Sequence, residues 1–265
     1  MTAEELLRQG RLNEALSALK DQVRKEPANA KLRIFLFQLQ AIQGDWERAL
    51  TQLNTAAELD ASALAMAQMY REALRCEALR AEVFAGRRTP LVFGEPPPWL
   101  GLLVEALRLA AAGSHAAAQP LRDQAFEAAP ATAGSIDGQA FEWLADADVR
   151  LGPVLEAVVN GRYYWIPVAH IQRIDIEAPA DLRDLVWTPA HFTWTNGGQC
   201  VGVIPTRYPG SEQVADEAVR LARRTDWEEC SPGVYRGLGQ RMLTTDIGDH
   251  PLLEVREIRL NATAP

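Results

Sequence analysis

The amino-acid sequence predicts an α+β protein: a tetratricopeptide-like array of α-helices over residues 1–133, followed by a mixed or antiparallel β-sheet domain with helices over residues 134–265. Three observations support this division. Of the 42 alanines, 29 lie in the first part, whereas 11 of the 19 aromatic residues lie in the second. The first part contains a 34-residue repeat, and the second contains strand-like segments separated by Asn-Gly pairs. Alanine favours helices, whereas aromatic and β-branched residues favour strands.

The repeat has the length of a tetratricopeptide unit, which is a pair of antiparallel helices. Residues 10–16 recur as residues 44–50, and a third, diverged unit follows. Glycine permits the tight turn inside each pair, and alanine permits close approach of the helices. We therefore expect about three helix pairs. The residues that carry the motif are Gly10 with Ala15, Gly44 with Ala49, and Gly113 with Ala118.

Helix-period apolar stripes run through residues 12–23 and 32–42, where they predict the core between the helices. Residues 62–85 predict a further helix or helix pair, and residues 86–98 predict a proline-rich loop. The next helix is expected to begin at Trp99. The concave face of such an array commonly holds a peptide or a helix, so this face is expected to carry the function.

The second part contains the signals of an antiparallel sheet. Residues 171–177 and 252–258 predict strands, and residues 211–224 predict a helix. Two Asn-Gly pairs predict hairpin turns, because both turn residues tolerate a positive φ. Each pair lies between apolar or aromatic runs: Asn160-Gly161 between residues 154–159 and 162–166, and Asn196-Gly197 between residues 192–195 and 199–204.

Composition and charge exclude several classes of protein. The net charge of -8 disfavours binding to nucleic acid or to an anionic membrane surface. The longest apolar stretch, residues 99–112, contains Glu105 and Arg108, so no membrane insertion is expected. The N-terminus lacks the basic and apolar regions of a signal peptide. Three widely separated cysteines fit a reducing compartment, so the sequence predicts a cytoplasmic protein.

The patterns of common catalytic sites are missing from the sequence. It has no Walker A loop and no GxSxG motif, and its four histidines lack the HExxH spacing. We therefore predict neither an enzyme nor a cofactor. Asp146 and Asp148 are candidates for holding a divalent cation, since hard cations prefer carboxylates. In the preferred interpretation, Asp148 caps a helix or pairs with Arg150.

Several arginines lie beside apolar segments that are expected to be buried. A buried guanidinium needs carboxylates or carbonyls as partners, so we predict a structural role for these side chains. A phosphate-binding cluster is the alternative interpretation. The residues concerned are Arg183 with its neighbour Asp184, Arg207 and Arg241.

The second part also resembles a known protein family. Five segments carry the resemblance, in the same order along the chain: residues 145–156, 160–167, 181–187, 204–212 and 237–243. Together they are similar to the ImpE family, also called TagJ or SciE-type, an accessory component of bacterial type VI secretion systems. The resemblance extends over nearly the whole chain, because this family also begins with a tetratricopeptide-like region.

The resemblance implies a binding role without catalysis. Members of the family are understood to bind the N-terminal helix of the small, TssB-like subunit of the contractile sheath. A ClpV-type unfoldase recycles that sheath, so an indirect link to the unfoldase is also implied. The resemblance supplies no catalytic residues and no partner-binding residues. The alternative is an enzyme or small-ligand-binding protein with a pocket formed by Asp146, Asp148, Arg207 or Arg241.

Overall fold

The computed structural model describes residues 1–261 of the protein. Its first half is helical, as predicted. Glycine turns, a proline-rich connection and short loops separate successive helices, because glycine and proline end regular helices. These helices are α1 (Ala3–Arg8), α2 (Leu12–Lys25), α3 (Ala30–Ile42), α4 (Trp46–Leu59), α5 (Leu64–Phe84), α6 (Pro98–Ala111) and α7 (His115–Ala128).

The predicted inter-helix turns are confirmed. Gly10 lies between α1 and α2, Gly44 between α3 and α4, and Gly113 between α6 and α7. All three adopt a left-handed backbone with φ between 73° and 79°, which glycine reaches without steric cost. Between the second and third pairs, α5 is one continuous helix of 21 residues rather than a pair.

The second half is built mainly from strands, which confirms the α+β prediction. One short strand also lies in the segment predicted as a loop before α6, where it pairs in parallel with a strand of the second half. The strands are β1 (Leu91–Val92), β2 (Gly134–Ile136), β3 (Gln139–Phe141), β4 (Leu144–Asp146), β5 (Val154–Val159), β6 (Arg162–Pro167), β7 (Ile171–Ile176), β8 (Trp187–Trp194), β9 (Gln199–Pro205), β10 (Thr225–Ser231), β11 (Val234–Gly239), β12 (Met242–Thr245), β13 (Gly248–Pro251) and β14 (Glu257–Leu260).

Within residues 1–261, nine strands form one sheet in the order β1-β6-β5-β9-β8-β7-β14-β2-β3. Three more form the sheet β13-β12-β4, and β10 pairs with β11. Both predicted hairpins are confirmed in the large sheet. Asn160 and Gly161 connect β5 to β6 with positive φ angles of 50° and 72°, and the second Asn-Gly pair connects β8 to β9.

Two predicted elements are wrong. The expected helix over residues 211–224 consists of a 3-10 turn, a break and the short helix α8 (Glu217–Arg220). Val214 is extended and Ala222 has a positive φ of 53°, so the helix is limited to the residues between them. Glu217 accepts the Leu12 N–H, and Arg223 donates to the carbonyl of Leu7. The expected strand over residues 252–258 begins only at Glu257, because Leu252–Glu254 form a 3-10 turn. The carboxylate of Asp137 accepts the N–H groups of Arg256 and Glu257 at the start of the strand.

The main hydrophobic core contains residues from both halves of the chain. At its centre, the Trp187 ring of β8 lies 5.7 Å from the Tyr70 ring of α5 and 6.0 Å from the Trp46 ring of α4. Phe37 of α3 continues this cluster, 5.9 Å from Tyr70. The sheet thus covers the faces of α3, α4 and α5 that carry these rings.

None of the helices in the described part of the chain is both long and apolar enough to cross a membrane.

Candidate functional site

A buried chain of charged side chains joins α5 to the sheet. Arg80 of α5 donates from Nε to Oε1 of Glu156 on β5, at 2.7 Å. Arg241 donates to the other oxygen of Glu156 and also to Asp146 on β4. These four side chains are at most 7% exposed. Because every residue of β5 is buried, Glu156 must find its charge partners inside the protein.

Two guanidinium groups keep Glu156 ionised. Burial alone would raise the pKa of this carboxyl, but Arg80 and Arg241 outweigh that effect and lower it to about 2. Tyr163 adds a hydrogen bond from its hydroxyl to Glu156, at 2.5 Å. Asp146 differs, because burial is its dominant influence and raises its pKa to about 6 despite Arg241. The arrangement is a structural link between the halves.

Asp146 and Asp148, the candidate metal ligands, have protein donors as partners. The oxygens of Asp146 accept hydrogen bonds from Tyr208 Oη, at 2.9 Å, and from Arg241. Asp148 pairs with Arg150, as the preferred interpretation expects, and accepts the Gly237 N–H at 2.9 Å. Residues 1–261 contain no group of three or more His, Cys, Asp or Glu that is arranged to hold a metal ion.

Arg207 binds the end of a helix. Its guanidinium donates to the carbonyl oxygens of Ile42, at 2.8 Å, Arg220, at 2.5 Å, and Ala41, at 3.4 Å. Ala41 and Ile42 are the last residues of α3, where carbonyls lack intrahelical partners and the helix dipole attracts a cation. Burial lowers the pKa of Arg207 to about 10, since its partners are neutral.

We expect the substitution Arg207→Ala to lower the free energy of unfolding by about 2–3 kcal/mol, because it leaves buried carbonyls without donors. Urea denaturation of the variant and the natural chain measures the difference. Arg236→Ala, which removes an exposed ion pair with Glu228, is the control and should cost less than about 1 kcal/mol. Equal midpoints for Arg207→Ala and the natural chain would contradict a structural role.

Arg183 and Asp184 do not pair with each other. Asp184 accepts the backbone N–H groups of Ala180 and Asp181, both at 2.9 Å. Arg183 lies 4.9 Å from the centre of the Tyr70 ring and pairs with Asp181 at 3.2 Å. Arg207 and Arg241 also point at protein acceptors, so these arginines do not line a common phosphate site.

The segment that follows β9 holds the ends of the first helices. Glu217 accepts the N–H groups of Leu12, at 2.7 Å, and Asn13, at 3.1 Å, and so binds the start of α2. Gly44 lies against Glu212 so closely that a Cβ at this position would be 2.4 Å from its Cγ. The glycine therefore permits a close contact as well as a turn. These contacts join residues about 170–205 positions apart, and no local pattern predicts them.

An open surface groove of about 660 Å³ lies between α5 and the sheet. We call it the α5–β9 groove. Two exposed apolar side chains face it, Met69 at 38% and Val201 at 53% exposure, and Leu64, at 52%, lies one turn before Gln68. The groove is lined by Ala65, Gln68, Met69, Glu72 and Ala73 of α5, by Val158, Asn160, Gly161 and Arg162 of the β5–β6 hairpin, and by Val201, Gly202 and Val203 of β9.

The α5 side of the groove follows the helical period. The five α5 residues stand at positions i, i+3, i+4, i+7 and i+8, so they form one stripe about 12 Å long. The opposite face of α5, with Tyr70 and Leu74, is buried in the core. Sequence reasoning missed this stripe, because residues 62–85 show a helical period without showing which apolar face is covered.

The fold and this surface define a class of protein: a tetratricopeptide-type helical array packed on an α+β unit, with an open apolar groove between them. Sequence comparison supports both parts. A tetratricopeptide repeat model matches residues 6–73, and the ImpE protein model matches residues 138–259. A relative from Pseudomonas aeruginosa PAO1, described as the type VI secretion system accessory component TagJ, is 54% identical over 99% of this chain and 92% of its own.

This protein therefore belongs to the ImpE/TagJ family. The crystal structure of protein VPA1032 from Vibrio parahaemolyticus has the same architecture, with a TM-score of 0.88 and 26% identity over 97% of both chains.

Proposed function

We propose that this protein is a cytoplasmic accessory component of a type VI secretion system that binds a partner helix and performs no chemistry. The partner is the amphipathic N-terminal helix of the small, TssB-like sheath subunit, and the α5–β9 groove receives it. Through the sheath, the protein is linked indirectly to a ClpV-type unfoldase. Membership of the ImpE/TagJ family supports the accessory role, and the exposed apolar groove is the single observation that carries the binding mode.

The dimensions and chemistry of the groove suit a short helix. Its stripe on α5 is long enough for about two turns of a partner helix lying alongside. The floor and walls are largely apolar, whereas the rim carries Arg162 and the Glu72–Arg75 ion pair. An amphipathic helix would bury its apolar face and keep its polar face in water, as in other helix-in-groove complexes.

Titration calorimetry with a synthetic peptide of the sheath subunit's N-terminal helix tests the proposal. A few apolar anchor side chains that become buried in the groove should give a dissociation constant in the micromolar range or lower. A micromolar constant corresponds to a binding free energy of about -8 kcal/mol. Raising the salt concentration should change the affinity little, because salt screens ionic contacts rather than apolar burial. No heat and no shift in melting temperature, with folded protein and helical peptide, would refute helix binding.

Substitutions in the groove locate the site. Met69→Asp and Val201→Asp each place a charge where an apolar anchor is expected to bury, so each should weaken peptide binding about tenfold or more. Ile247→Asp is the matched control, since Ile247 is 46% exposed in the turn between β12 and β13, outside the groove. If the control weakens binding as much as the groove variants do, the helix binds elsewhere.

The enzyme or small-ligand alternative loses its predicted pocket. Asp146, Asp148, Arg207 and Arg241 bind one another or other protein groups, as described above, so they offer no shared open site. No observation on these four side chains favours catalysis.

A further inference from the structure

A second cavity lies on another side of the molecule, between the end of α5, the α6–α7 pair and the β10–β11 hairpin. Its volume is about 580 Å³, which is within the range of small-molecule sites. Apolar walls come from Phe84, Leu107, Val149, Val234 and Tyr235. Four guanidinium groups also line it, from Arg87, Arg122, Arg150 and Arg236. We call it the Arg122 cavity.

Three of these four arginines already have carboxylate partners. Arg87 pairs with Glu82 at 2.7 Å, Arg150 with Asp148 at 2.5 Å, and Arg236 with Glu228 at 2.7 Å. Their charges are compensated by the protein itself. A further acidic residue at the cavity, Glu229, is exposed and accepts the Gly233 N–H at 3.0 Å.

Arg122 differs from them. It is only 6% exposed, and its Nη2 donates to the amide oxygen of Gln119. Within residues 1–261, no carboxylate lies within ion-pair distance of this guanidinium, and its Nε and Nη1 have no hydrogen-bond acceptor. Burial accordingly lowers the pKa of Arg122. Nε and Nη1 of Arg122 are not sealed from solvent, so they are open to an acceptor bound in the cavity.

The other buried arginines of the described residues have carboxylate or carbonyl partners within the protein. Arg80 and Arg241 each bind two carboxylates, and Arg207 binds three carbonyls. Arg220 has the carboxylate of Glu217 at 3.5 Å and the amide oxygen of Gln43 at 2.5 Å. Among the buried arginines of the described chain, the one that lacks such partners is also one that lines a cavity.

We infer that the Arg122 cavity binds a small organic monocarboxylate with an aromatic or aliphatic body. The carboxylate would accept the free N–H groups of Arg122, since the planar guanidinium fork matches two carboxylate oxygens. The apolar body would pack on Phe84, Leu107 and Tyr235. A phosphate dianion fits less well, because one uncompensated guanidinium faces it and the carboxylates of Glu228 and Glu229 lie at the same cavity. This site is separate from the α5–β9 groove and does not depend on helix binding.

Titration calorimetry with three monocarboxylates tests the inference: benzoate, 4-phenylbutyrate and octanoate, with 4-phenylbutyramide and inorganic phosphate as comparison ligands. We expect saturable binding of at least one carboxylate. The neutral amide and phosphate should each bind about tenfold more weakly or not at all. Absence of saturable binding by all three carboxylates, equal binding of the amide, or tighter binding of phosphate would each overturn the inference.

The variant Arg122→Gln should weaken carboxylate binding about tenfold or more, since it removes the charge and the fork. Arg48→Gln, which alters an exposed arginine that pairs with Asp45 outside the cavity, is the matched control and should leave the affinity within about twofold. Equal affinity of Arg122→Gln and the natural chain would overturn the inference.

A measurement on the natural chain covers the case in which Arg122→Gln does not fold. Cys230 lines the Arg122 cavity, whereas Cys200 lies at a different surface, beside Arg173 and His191. A saturating carboxylate should slow alkylation of Cys230 and leave Cys200 unchanged. Unchanged alkylation of Cys230 by a ligand that binds, or equal protection of both thiols, would place the ligand elsewhere and overturn the inference.

Discussion

Replacing Arg241 with methionine should lower the free energy of unfolding by about 3–5 kcal/mol, among the largest effects expected for a single substitution in this protein. Arg241 is fully buried and binds Asp146 and Glu156, which are also fully buried. Methionine fills a similar volume, so the loss comes from charge rather than from a cavity. Asp146 would keep no cation, and Glu156 would keep Arg80 alone.

Urea denaturation, followed by circular dichroism, measures the effect. Arg224→Met is the control, because Arg224 forms exposed ion pairs with Asp216 and Asp226 that are worth about 1 kcal/mol or less. If both variants unfold at the same urea concentration, the buried chain of charges does not hold the two halves together.

The substitution Trp187→Ala is expected to cost about 3–5 kcal/mol, because it removes a fully buried indole where the sheet packs on the helices. It leaves a cavity beside Tyr70 and Trp46. It also removes the Nε1 donor that binds Glu77 at 2.9 Å, and burial already raises the pKa of that carboxyl. Glu77 would keep only Arg80, at 3.4 Å, which would add to the loss.

The same denaturation experiment compares the loss of the buried Trp187 with the loss of a tryptophan at the surface. Trp143 is 38% exposed, and Trp143→Ala should cost much less, about 1 kcal/mol. In the natural chain, helix and sheet signals should unfold together, because one hydrophobic core includes residues of both. A small effect of Trp187→Ala, comparable with that of Trp143→Ala, would mean that the junction contributes little to stability.

Local patterns predicted much of the fold. The turns at Gly10 and Gly44 and the hairpin at Asn160-Gly161 depend on backbone conformations that a few adjacent residues determine. The helix expected over residues 211–224 failed for the opposite reason. Its conformation depends on contacts such as Glu217 with Leu12, which lies 205 residues away. Tertiary contacts of this kind override local propensity.

The candidate sites were harder to predict. The sequence indicated that Arg207 and Arg241 need partners, but not which carbonyls and carboxylates supply them. The α5–β9 groove depends on which face of α5 the sheet leaves open. The sequence around Met69 and Val201 therefore does not predict that these side chains are exposed. The sequence did not single out Arg122 either, because its lack of a carboxylate partner becomes evident only when the neighbouring segments of the chain are in place.

The capping of α2 by Glu217 has a consequence for synthesis of the chain. Glu217 is made 205 residues after Leu12, which at elongation rates of about 5–20 residues per second is a delay of about 10–40 s. During that interval the nascent helices lack both the distant cap from Glu217 and the indole of Trp187 that packs on Trp46 and Tyr70. The growing chain must therefore wait on the ribosome with apolar helix faces uncovered, a period in which holding chaperones would protect it from aggregation.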